Sequence, residues 1–446
     1  MKRVISFVLA AALLALPACG KPFERVLHLE GDAEAYTFSA QRYGQPIDLA
    51  LHFTEYIQTR AEEFDLLLIG NDGLVSRIAG DDLTGCTLVF SREYAWEFRS
   101  EHHPPPANIK NLASIAVVST SEDPRAIRFI GGDDEAMTVT AGQLHLLDYR
   151  RVLREEGTGN TNGRSVTVYT TQRRVPLADL LPEGDSFCAM GFSGEAMFFR
   201  GDAYLLTGHN QVDVHLPDGR ALGNLAGVMA DPPGFLITEA YHDALRFLEQ
   251  GERVMVIELD GMGWDMLPYA PYISSLAPRR ALACYPPISP VGLAAMLTGE
   301  TPNINDIHDR ENRIPACGDI FAKAEALGKT CIYIEGRNSL IKTSVKPELC
   351  LSDADAFMLA KHILESAPDL LFIHFHGIDE AAHAFGPHAG ETGQTIAEID
   401  RFVRSLMEGF GGRVIIVADH GLHETEEGGN HGLFLPEDMV VPYVLR

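Results

Sequence analysis

The sequence predicts an α/β fold for residues 251–446, with a mostly parallel sheet that has helices on both faces. Four short apolar runs rich in β-branched residues recur along this region, at 254–259, 331–335, 370–375 and 414–418. Helical stretches separate these runs, at 317–328, 353–366 and 391–408. Continuous apolar strands that alternate with helices are typical of a parallel sheet that is buried on both sides.

Residues 24–250 have a different pattern, which predicts a mainly β or α+β region. Short strands such as DLLLIG, TLVFS and SVTVYTT are broken by turns rich in Gly, Asp and Pro. Two segments, 64–85 and 187–208, have equal length and share a first Phe and a final Leu-Thr-Gly. This similarity suggests two related subdomains, and chance agreement is the alternative. No pattern in this region indicates a function.

The first residues have the features of an export signal. Lys2 and Arg3 precede an apolar stretch, 4–16, that is too short to cross a bilayer as a mature helix. Cys19 follows Leu-Pro-Ala, which resembles a bacterial lipobox, so that residues 1–18 are a lipoprotein-type signal peptide and Cys19 is lipidated. Ordinary cleavage, with Cys19 as a bystander, is the alternative. The sequence therefore predicts an exported protein of a bacterial cell envelope, anchored to the membrane by a lipid.

Composition bears on partners and on disulfides. The chain carries 62 Asp and Glu against 36 Lys and Arg, a formal net charge of -26. Because such a surface repels nucleic acid backbones, we expect no binding to nucleic acid polymers. An even number of cysteines in an exported chain permits up to three disulfides, but neither their pairing nor the oligomeric state follows from the sequence. The six cysteines beyond Cys19 are Cys86, Cys188, Cys284, Cys317, Cys331 and Cys350.

Three aspartates and three histidines lie shortly after apolar runs or in a late Gly-rich turn of the C-terminal region. Asp and His are ligand types that zinc and similar divalent ions prefer. Ligands of such sheets gather beyond the carboxyl ends of the strands, and the Asp-x-x-x-His pair projects from one face of a helix. Each motif alone is weak, but their joint order predicts a site for two divalent ions, with Zn²⁺ expected first and Mn²⁺ as the alternative. The six residues are Asp260, Asp379, His383, Asp419, His420 and His431.

On these motifs, which read ELDGMG, HGIDEAAH, VADHG and GGNHG, the chain from Val254 onward resembles the alkaline phosphatase superfamily. Within it, the similarity is to the type I phosphodiesterase/nucleotide pyrophosphatase family. The resemblance implies an alkaline-phosphatase-like fold and a Ser or Thr nucleophile that contacts one of two metal ions. It also implies two ligand triplets, one for each ion: Asp379, His383 and His431, and Asp260, Asp419 and His420.

Ser289 is the nucleophile that the resemblance implies. Family members have Thr-Gly nine and ten residues after the nucleophile, and Thr298 and Gly299 have these offsets from Ser289. Cys284 superficially resembles the start of a sulfatase signature, but Ile288 stands where that signature has Arg, so we interpret Cys284 as structural. A hydroxyl suits the chemistry because zinc lowers the pKa of an alcohol. The alternative is that Ser289 is a polar loop residue.

One position bears on the choice of substrate. Phosphodiesterase members have an Asn at an offset from the nucleophile that falls here on Arg310, with Asn312 two residues later. A guanidinium binds a dianionic terminal phosphate through two hydrogen bonds, which would favour monoesters. If Asn312 takes the family role, diesters fit better. A solvated Arg310 without a catalytic role is the third interpretation.

These features together predict a metal-dependent hydrolase of phosphate esters that resembles phosphodiesterases and nucleotide pyrophosphatases. It would act on a small-molecule substrate through a phosphoseryl intermediate. A phosphomonoesterase, or a phosphonate or sulfate ester hydrolase, on the same site is the close alternative. A cell-surface binding protein with an inactive catalytic domain is the alternative from another class, and the complete set of metal ligands weighs against it.

Overall fold

The structure is a computed structural model that describes residues 26–132, 136–162, 164–208 and 210–446. The predicted signal peptide and the lipidation site Cys19 lie outside the described residues. Within them, no helix is both long enough and apolar enough to cross a membrane. The described residues form two compact units: the first lies within 26–126, 139–148 and 207–212, and the second within 127–138, 149–206 and 213–446. The predicted domain boundary at residue 251 stays a prediction.

The second unit contains a seven-stranded sheet that is mostly parallel, as the sequence predicts. Five neighbouring strands run parallel to one another, and two antiparallel strands extend one edge. The central strands Val254–Leu259 and Leu370–Phe375 are buried at every position, which requires cover on both faces of the sheet. From edge to edge the strands are Arg279–Leu282, Val440–Leu445, Arg413–Val417, Val254–Leu259, Leu370–Phe375, Cys331–Glu335 and Glu348–Leu349.

The predicted strands agree closely with the observed ones. Three have the predicted bounds, and the fourth, predicted at 414–418, is shifted by one residue to Arg413–Val417. The sequence analysis missed the two antiparallel strands. Arg279–Leu282 is short and begins with two exposed arginines, whereas Val440–Leu445 contains Pro442, a residue that argues against an interior strand because it lacks a backbone N–H.

Two helices near the sheet begin with a residue whose side chain caps the first turn. Asp319 accepts a hydrogen bond from the backbone N–H of Ala322, and Ser352 accepts one from that of Asp355. Gly299, with φ of 73°, adopts the left-handed conformation that ends the helix before it. The helices of the described residues are Leu49–Glu55, Glu239–Glu249, Pro271–Ser275, Ser289–Thr298, Pro302–Asn305, Ile320–Ala326, Asp353–Ile363, Gly377–Phe385, Gly390–Gly409 and Pro436–Met439.

The region before residue 250 is rich in β-strands, which confirms the predicted class. Two five-stranded sheets have the same order of strands. In each, the strand that comes last in the sequence lies in the middle, with one hairpin on either side, and it runs parallel to the strand that comes first. In the first five-stranded sheet the order is Tyr36–Ser39, Val26–Gly31, Leu112–Ser119, Phe64–Gly70 and Val75–Ala79. In the second it is Ala136–Val139, Ile127–Ile130, Leu225–Ala230, Ser186–Gly191 and Ala196–Arg200. The two similar sequence segments form corresponding hairpins in these sheets.

Three smaller sets of strands complete the described chain. The strands are Pro46–Asp48, Thr87–Ser91 and Ala95–Arg99; Arg150–Thr161, Arg164–Pro176, Tyr204–Gly208, Gln211–His215 and Ala221–Leu222; and His423–Thr425 with Gly428–Asn430. The six cysteines of the described residues are unpaired, so none of the disulfides that the sequence permits is formed here.

Candidate active site

Three strand ends bring the predicted aspartates to one edge of the seven-stranded sheet. Asp260 directly follows Val254–Leu259, Asp419 lies two residues past Arg413–Val417, and Asp379 lies in the helix that follows Leu370–Phe375. Two backbone hydrogen bonds join these loops. The N–H of Asp379 donates to the carbonyl oxygen of Asp260 at 3.1 Å, and the N–H after Asp260 donates to Asp419 Oδ1 at 3.0 Å.

The triplet of Asp260, Asp419 and His420 has the spacing of ligands around one ion. His420 Nε2 lies 3.3 Å from Asp419 Oδ2 and 3.5 Å from Asp260 Oδ1. Ligand atoms that bind a tetrahedral zinc ion at the usual bond lengths lie about 3.4 Å from one another. All three side chains are buried, so water does not compete for these positions.

The second triplet lies beside the first. Asp379 Oδ1 is 3.4 Å from His383 Nε2 and 3.7 Å from His431 Nε2. The rings of His420 and His431 stack with centroids 4.0 Å apart. The structure therefore brings all six predicted ligands together, and their role in binding metal stays a prediction.

Backbone carbonyls fix the orientation of all three histidines. Each ring lies with Nδ1 at hydrogen-bond distance from a carbonyl oxygen, which places a proton on Nδ1 and directs Nε2 toward the carboxylates. A metal ion needs an unprotonated ring nitrogen. The carbonyls belong to Gly429, Gly421 and Pro287, at 2.9, 3.1 and 2.9 Å from His383, His420 and His431 respectively.

One oxygen of each predicted aspartate ligand is buried without a hydrogen-bond partner. These atoms are Asp260 Oδ1, Asp379 Oδ1 and Asp419 Oδ2, and each is the oxygen that faces the histidines. A carboxylate oxygen buried without a partner costs on the order of 1–3 kcal/mol, and more when the group is charged. Divalent cations at the two triplets would remove this cost, so the residues present fit two ions.

The ionisable ligands respond differently to burial. Burial, reinforced by the charge of Asp260, raises the pKa of Asp379 to about 7 and raises the pKa of Asp419 well above its usual value. Burial and the neighbouring His420 lower the pKa of His431 to about 3. Although burial opposes it, the imidazoles of His374 and His376 hold the pKa of Asp260 well below the usual range.

We expect zinc affinity to rise with pH. His431 is already neutral above pH 3, but Asp379 and Asp419 must each lose a proton before they bind an ion. For each proton that must be released, binding weakens by about tenfold for every pH unit below the pKa of the group. The apparent Kd should therefore fall as the pH rises from 5.5 to 7, by about tenfold per unit where the pH lies well below the pKa of Asp379. Competition with a chelator at each pH measures this, with circular dichroism to confirm the fold; an affinity that does not change with pH would contradict it.

The nucleophile predicted from sequence lies at the same place. Ser289 is the first residue of a buried helix and is 4% exposed, and its Oγ lies 3.2 Å from His420 Nε2. Gly292, in the first turn of this helix, allows the close approach: a Cβ at Gly292 would lie 2.6 Å from the Cβ of Asp419. Cys284 is fully buried in the main apolar core, and burial raises the pKa of its thiol to about 12. That environment agrees with a structural role.

The structure separates the two candidates for substrate binding. The Nη2 atom of Arg310 lies 3.4 Å from His431 Nε2, so its guanidinium reaches the site. Asn312 is engaged in its own loop, where its amide donates to the carbonyl of Asp306 and accepts from the N–H of Ile314. The geometry therefore favours Arg310 over Asn312 as a group that contacts a phosphate.

The sequence analysis missed four ionisable residues next to Asp260. Glu258, Glu335 and His374 are fully buried near the ends of three adjacent strands, and His376 follows the last of these strands. Each of the three strand residues is the only acidic or basic side chain in its apolar run. A lone charge in a run that is otherwise buried was the signal that could have found them.

Comparison with known proteins agrees with this geometry. Residues 336–440 match the sequence profile of the family described as type I phosphodiesterase / nucleotide pyrophosphatase. This match includes five of the six predicted metal ligands, all but Asp260. The predicted resemblance is thereby confirmed, and it supports the chemistry of a phosphoester hydrolase or transferase.

The individual proteins that are similar to this chain share little sequence identity with it. The catalytic subunit of GPI ethanolamine phosphate transferase 2 from Homo sapiens is 21% identical over 210 residues, which cover 41% of this chain. The chain matches about a fifth, 21%, of the length of that relative. Murine ectonucleotide pyrophosphatase/phosphodiesterase 5, solved as an inactive variant in complex with AMP, has a TM-score of 0.33 and 15% identity, covering 40% of this chain and 59% of its own. The same murine protein, in another structure, has a TM-score of 0.34.

Proposed function

We propose that this protein is an exported hydrolase of phosphate esters that uses two divalent ions and a phosphoseryl intermediate. The observation that carries the proposal is the set of three buried, unpartnered carboxylate oxygens that face the Nε2 atoms of three histidines, whose Nδ1 atoms lie at hydrogen-bond distance from backbone carbonyls. A hydroxyl, that of Ser289, lies within 3.2 Å of one of these Nε2 atoms. Such a set matches what phosphoryl transfer requires, namely cation sites beside a nucleophile.

The residues of the chain support a two-step reaction. Ser289 Oγ loses its proton and attacks phosphorus, and the P–O bond to the leaving alcohol or phosphate breaks. Water then attacks the phosphoserine and releases phosphate or a phosphate monoester. Ser289 begins a helix, so the positive end of the helix dipole favours the negative charge on the phosphoryl group. Two bound divalent ions would lower the pKa of the hydroxyl and neutralise the phosphoryl oxygens.

Diesters and nucleotide pyrophosphates are the substrates that the family match supports. Phosphate monoesters are the second candidate, favoured by Arg310 because its guanidinium reaches the site. A guanidinium that forms two hydrogen bonds to a phosphate discriminates in favour of a dianionic terminal group. Hydrolysis of bis-p-nitrophenyl phosphate and p-nitrophenyl phosphate, with and without chelator, separates these candidates.

Replacement of Arg310 by alanine tests the monoester candidate. If the guanidinium binds a terminal phosphate, kcat/KM for the monoester should fall by roughly 10–100-fold, because a charge-assisted hydrogen bond contributes about 1.5–3 kcal/mol. The diester rate should change much less. Arg313→Ala is the matched control, since the Arg313 guanidinium is turned to the carbonyl of Ser339. Equal losses on both substrates would reject a role in selecting monoesters.

The same assay, with analysis of its products, can identify the molecule that accepts the phosphoryl group. One relative is named as an ethanolamine phosphate transferase, and a phosphoserine intermediate can pass its group to an alcohol as well as to water. We propose water as the acceptor. Product analysis with added ethanolamine tests this: phosphorylated ethanolamine as the main product would indicate a transferase. No turnover of either ester, with zinc or manganese supplied, would favour a binding protein over an enzyme.

We also propose that the enzyme is held at the cell envelope by a lipid on Cys19. The support is the sequence alone, through the apolar stretch and the Leu-Pro-Ala-Cys motif. Mass spectrometry of the N-terminal peptide checks it. A mature protein that begins at another residue, or a Cys19 without acyl chains, would reject the anchor.

A further inference from the structure

A long β-hairpin of the second unit exposes apolar side chains to water. Its strands, Arg150–Thr161 and Arg164–Pro176, pair antiparallel along most of their length, and we call them the basic hairpin. The last two residues of the second strand pair with the strand Tyr204–Gly208. Because a two-stranded hairpin is only marginally stable in water by itself, exposed apolar groups on it indicate a surface that covers them. Four of its large apolar residues are more than half exposed, namely Leu153, Val166, Val168 and Tyr169.

The basic hairpin has a charge opposite to that of the whole chain. It carries six arginines and two glutamates, whereas the chain has a formal net charge of -26. At physiological ionic strength, charges are screened beyond about 8 Å, so the hairpin's own charge acts on whatever approaches it. That charge favours an anionic surface or ligand.

Two pairs of arginines lie directly opposite each other at the base of the basic hairpin. Arg150 is the cross-strand partner of Arg174, and Arg151 is that of Arg173. Like charges in this position destabilise a hairpin, unless an anion lies between them. The ring of Tyr149 offsets the repulsion of the second pair, because both guanidinium carbons lie near its centroid, at 5.7 and 4.2 Å. The first pair is therefore the candidate anion site.

A cavity of 440 Å³ lies beside this first pair. Its volume is typical of pockets that bind small molecules. Both Arg150 and Arg174 line it, and among its described lining residues the one acidic side chain is that of Asp202. The apolar part of the lining includes Val152, Pro176, Leu177, Leu181, Pro182 and Phe187. A ligand that fits this cavity has a negatively charged group and a hydrocarbon part.

Arg174 is held in an orientation that suits the binding of an anion. Its guanidinium carbon lies 4.0 Å from the centroid of the Tyr204 ring, and its Nε donates to Gln172 Oε1 at 2.9 Å. These two contacts engage the plane of the guanidinium and its Nε. A phosphate group binds at the terminal N–H groups of an arginine, which lie at the other end of that plane.

We propose that the basic hairpin docks on a bilayer that contains anionic phospholipid, and that the cavity at its base binds one such lipid. The phosphate lies between the guanidiniums of Arg150 and Arg174, and an acyl chain lies along the apolar lining. Arginine and tyrosine suit this boundary, because each combines an apolar body with a polar end. The inference rests neither on the proposed reaction nor on a lipid at Cys19, since the residues that carry it belong to neither site.

Co-sedimentation with vesicles tests the lipid site. The chain is used from residue 20 onward, which retains every described residue and lacks the proposed lipidation site. Vesicles of phosphatidylcholine that contain phosphatidylglycerol should bind the chain. Vesicles of pure phosphatidylcholine should bind it at least ~10-fold more weakly, because their surface has no net charge to attract the arginines.

Arg150→Gln and Arg154→Gln are a matched pair of variants. Both arginines are exposed on the same strand, four residues apart and so on the same face. Arg154 does not line the cavity, and it pairs with Glu156 at 3.8 Å. Arg150→Gln should weaken binding to the phosphatidylglycerol vesicles by about 10-fold, and Arg154→Gln by about twofold or less.

Ala178→Trp tests the cavity itself. Ala178 is exposed and lines the cavity, so a large side chain there fills the space without a change of charge. Binding to the phosphatidylglycerol vesicles should fall by about 10-fold. Circular dichroism should show an unchanged fold for each variant, and the rate on bis-p-nitrophenyl phosphate should stay that of the wild type.

The outcomes separate the lipid site from its alternatives. Equal binding to both kinds of vesicle, or equal losses in Arg150→Gln and Arg154→Gln, would overturn it. Release from the vesicles by inorganic phosphate at constant ionic strength would assign the cavity to free phosphate instead. A dimer that Arg150→Gln dissociates, without binding to vesicles, would make a second copy the partner. Binding that needs phosphatidylglycerol and is lost in Arg150→Gln and Ala178→Trp, but not in Arg154→Gln, supports the site.

Discussion

Replacement of Ser289 by alanine is expected to lower kcat by at least ~10³-fold while the bound metal stays in place. The hydroxyl supplies the attacking oxygen, and its Oγ lies at hydrogen-bond distance, 3.2 Å, from His420 Nε2. Its removal leaves all six predicted ligands unchanged. The measurement combines steady-state rates on bis-p-nitrophenyl phosphate with elemental analysis of the same sample.

Two variants sharpen this test. Ser275→Ala removes an exposed hydroxyl that bonds only to the carbonyl of Tyr272, so it should keep the wild-type rate. Ser289→Thr keeps a hydroxyl and should retain part of the activity, with a rapid burst if the phosphorylated form accumulates. A Ser289→Ala enzyme with the full rate would show that the nucleophile is another group or water.

Replacement of His420 by alanine should remove both metal and activity. Its Nε2 lies within 3.5 Å of Asp260, Asp419 and Ser289, so this one atom connects the ion site to the nucleophile. Loss of a ligand should weaken one ion by at least ~10²-fold, and turnover should fall by ~10³-fold or more. Zinc content by elemental analysis and rates at saturating zinc provide the two readings.

A surface histidine provides the matched control for His420. His388 is half exposed and pairs with Asp265 at 3.1 Å, outside both ligand triplets. His388→Ala should keep the zinc content and the rate of the wild type. If His420→Ala also kept its full complement of zinc, the triplet of Asp260, Asp419 and His420 would not be a metal site.

Much of the catalytic sheet follows from sequence because a parallel sheet is apolar on both faces. Runs such as 254–259 and 370–375 then need no periodic pattern to be recognised. Since parallel strands end at the same edge, residues just past those ends were expected to meet, and Asp260 and Asp419 do lie together. The same reasoning fails for Val440–Leu445, where Pro442 occupies a strand between two neighbours.

Other parts of the site depend on contacts that sequence does not contain. The offset from Ser289 could not decide between Arg310 and Asn312, because the direction of each side chain is set by the conformation of its loop. The role of Glu258 as a neighbour of His374 depends on strand pairing across more than a hundred residues. Lone charges in apolar runs were visible, but their partners became evident only from the order of strands in the sheet.

The central claim is that six side chains far apart in sequence bind two ions beside Ser289. Anomalous diffraction from crystals grown with zinc, recorded above and below the zinc absorption edge, tests this most directly. The account predicts one peak at bonding distance, about 2.0–2.2 Å, from Asp379 Oδ1 and another at the same distance from His420 Nε2. Zinc peaks confined to other parts of the molecule, or no peak at either position, would contradict it.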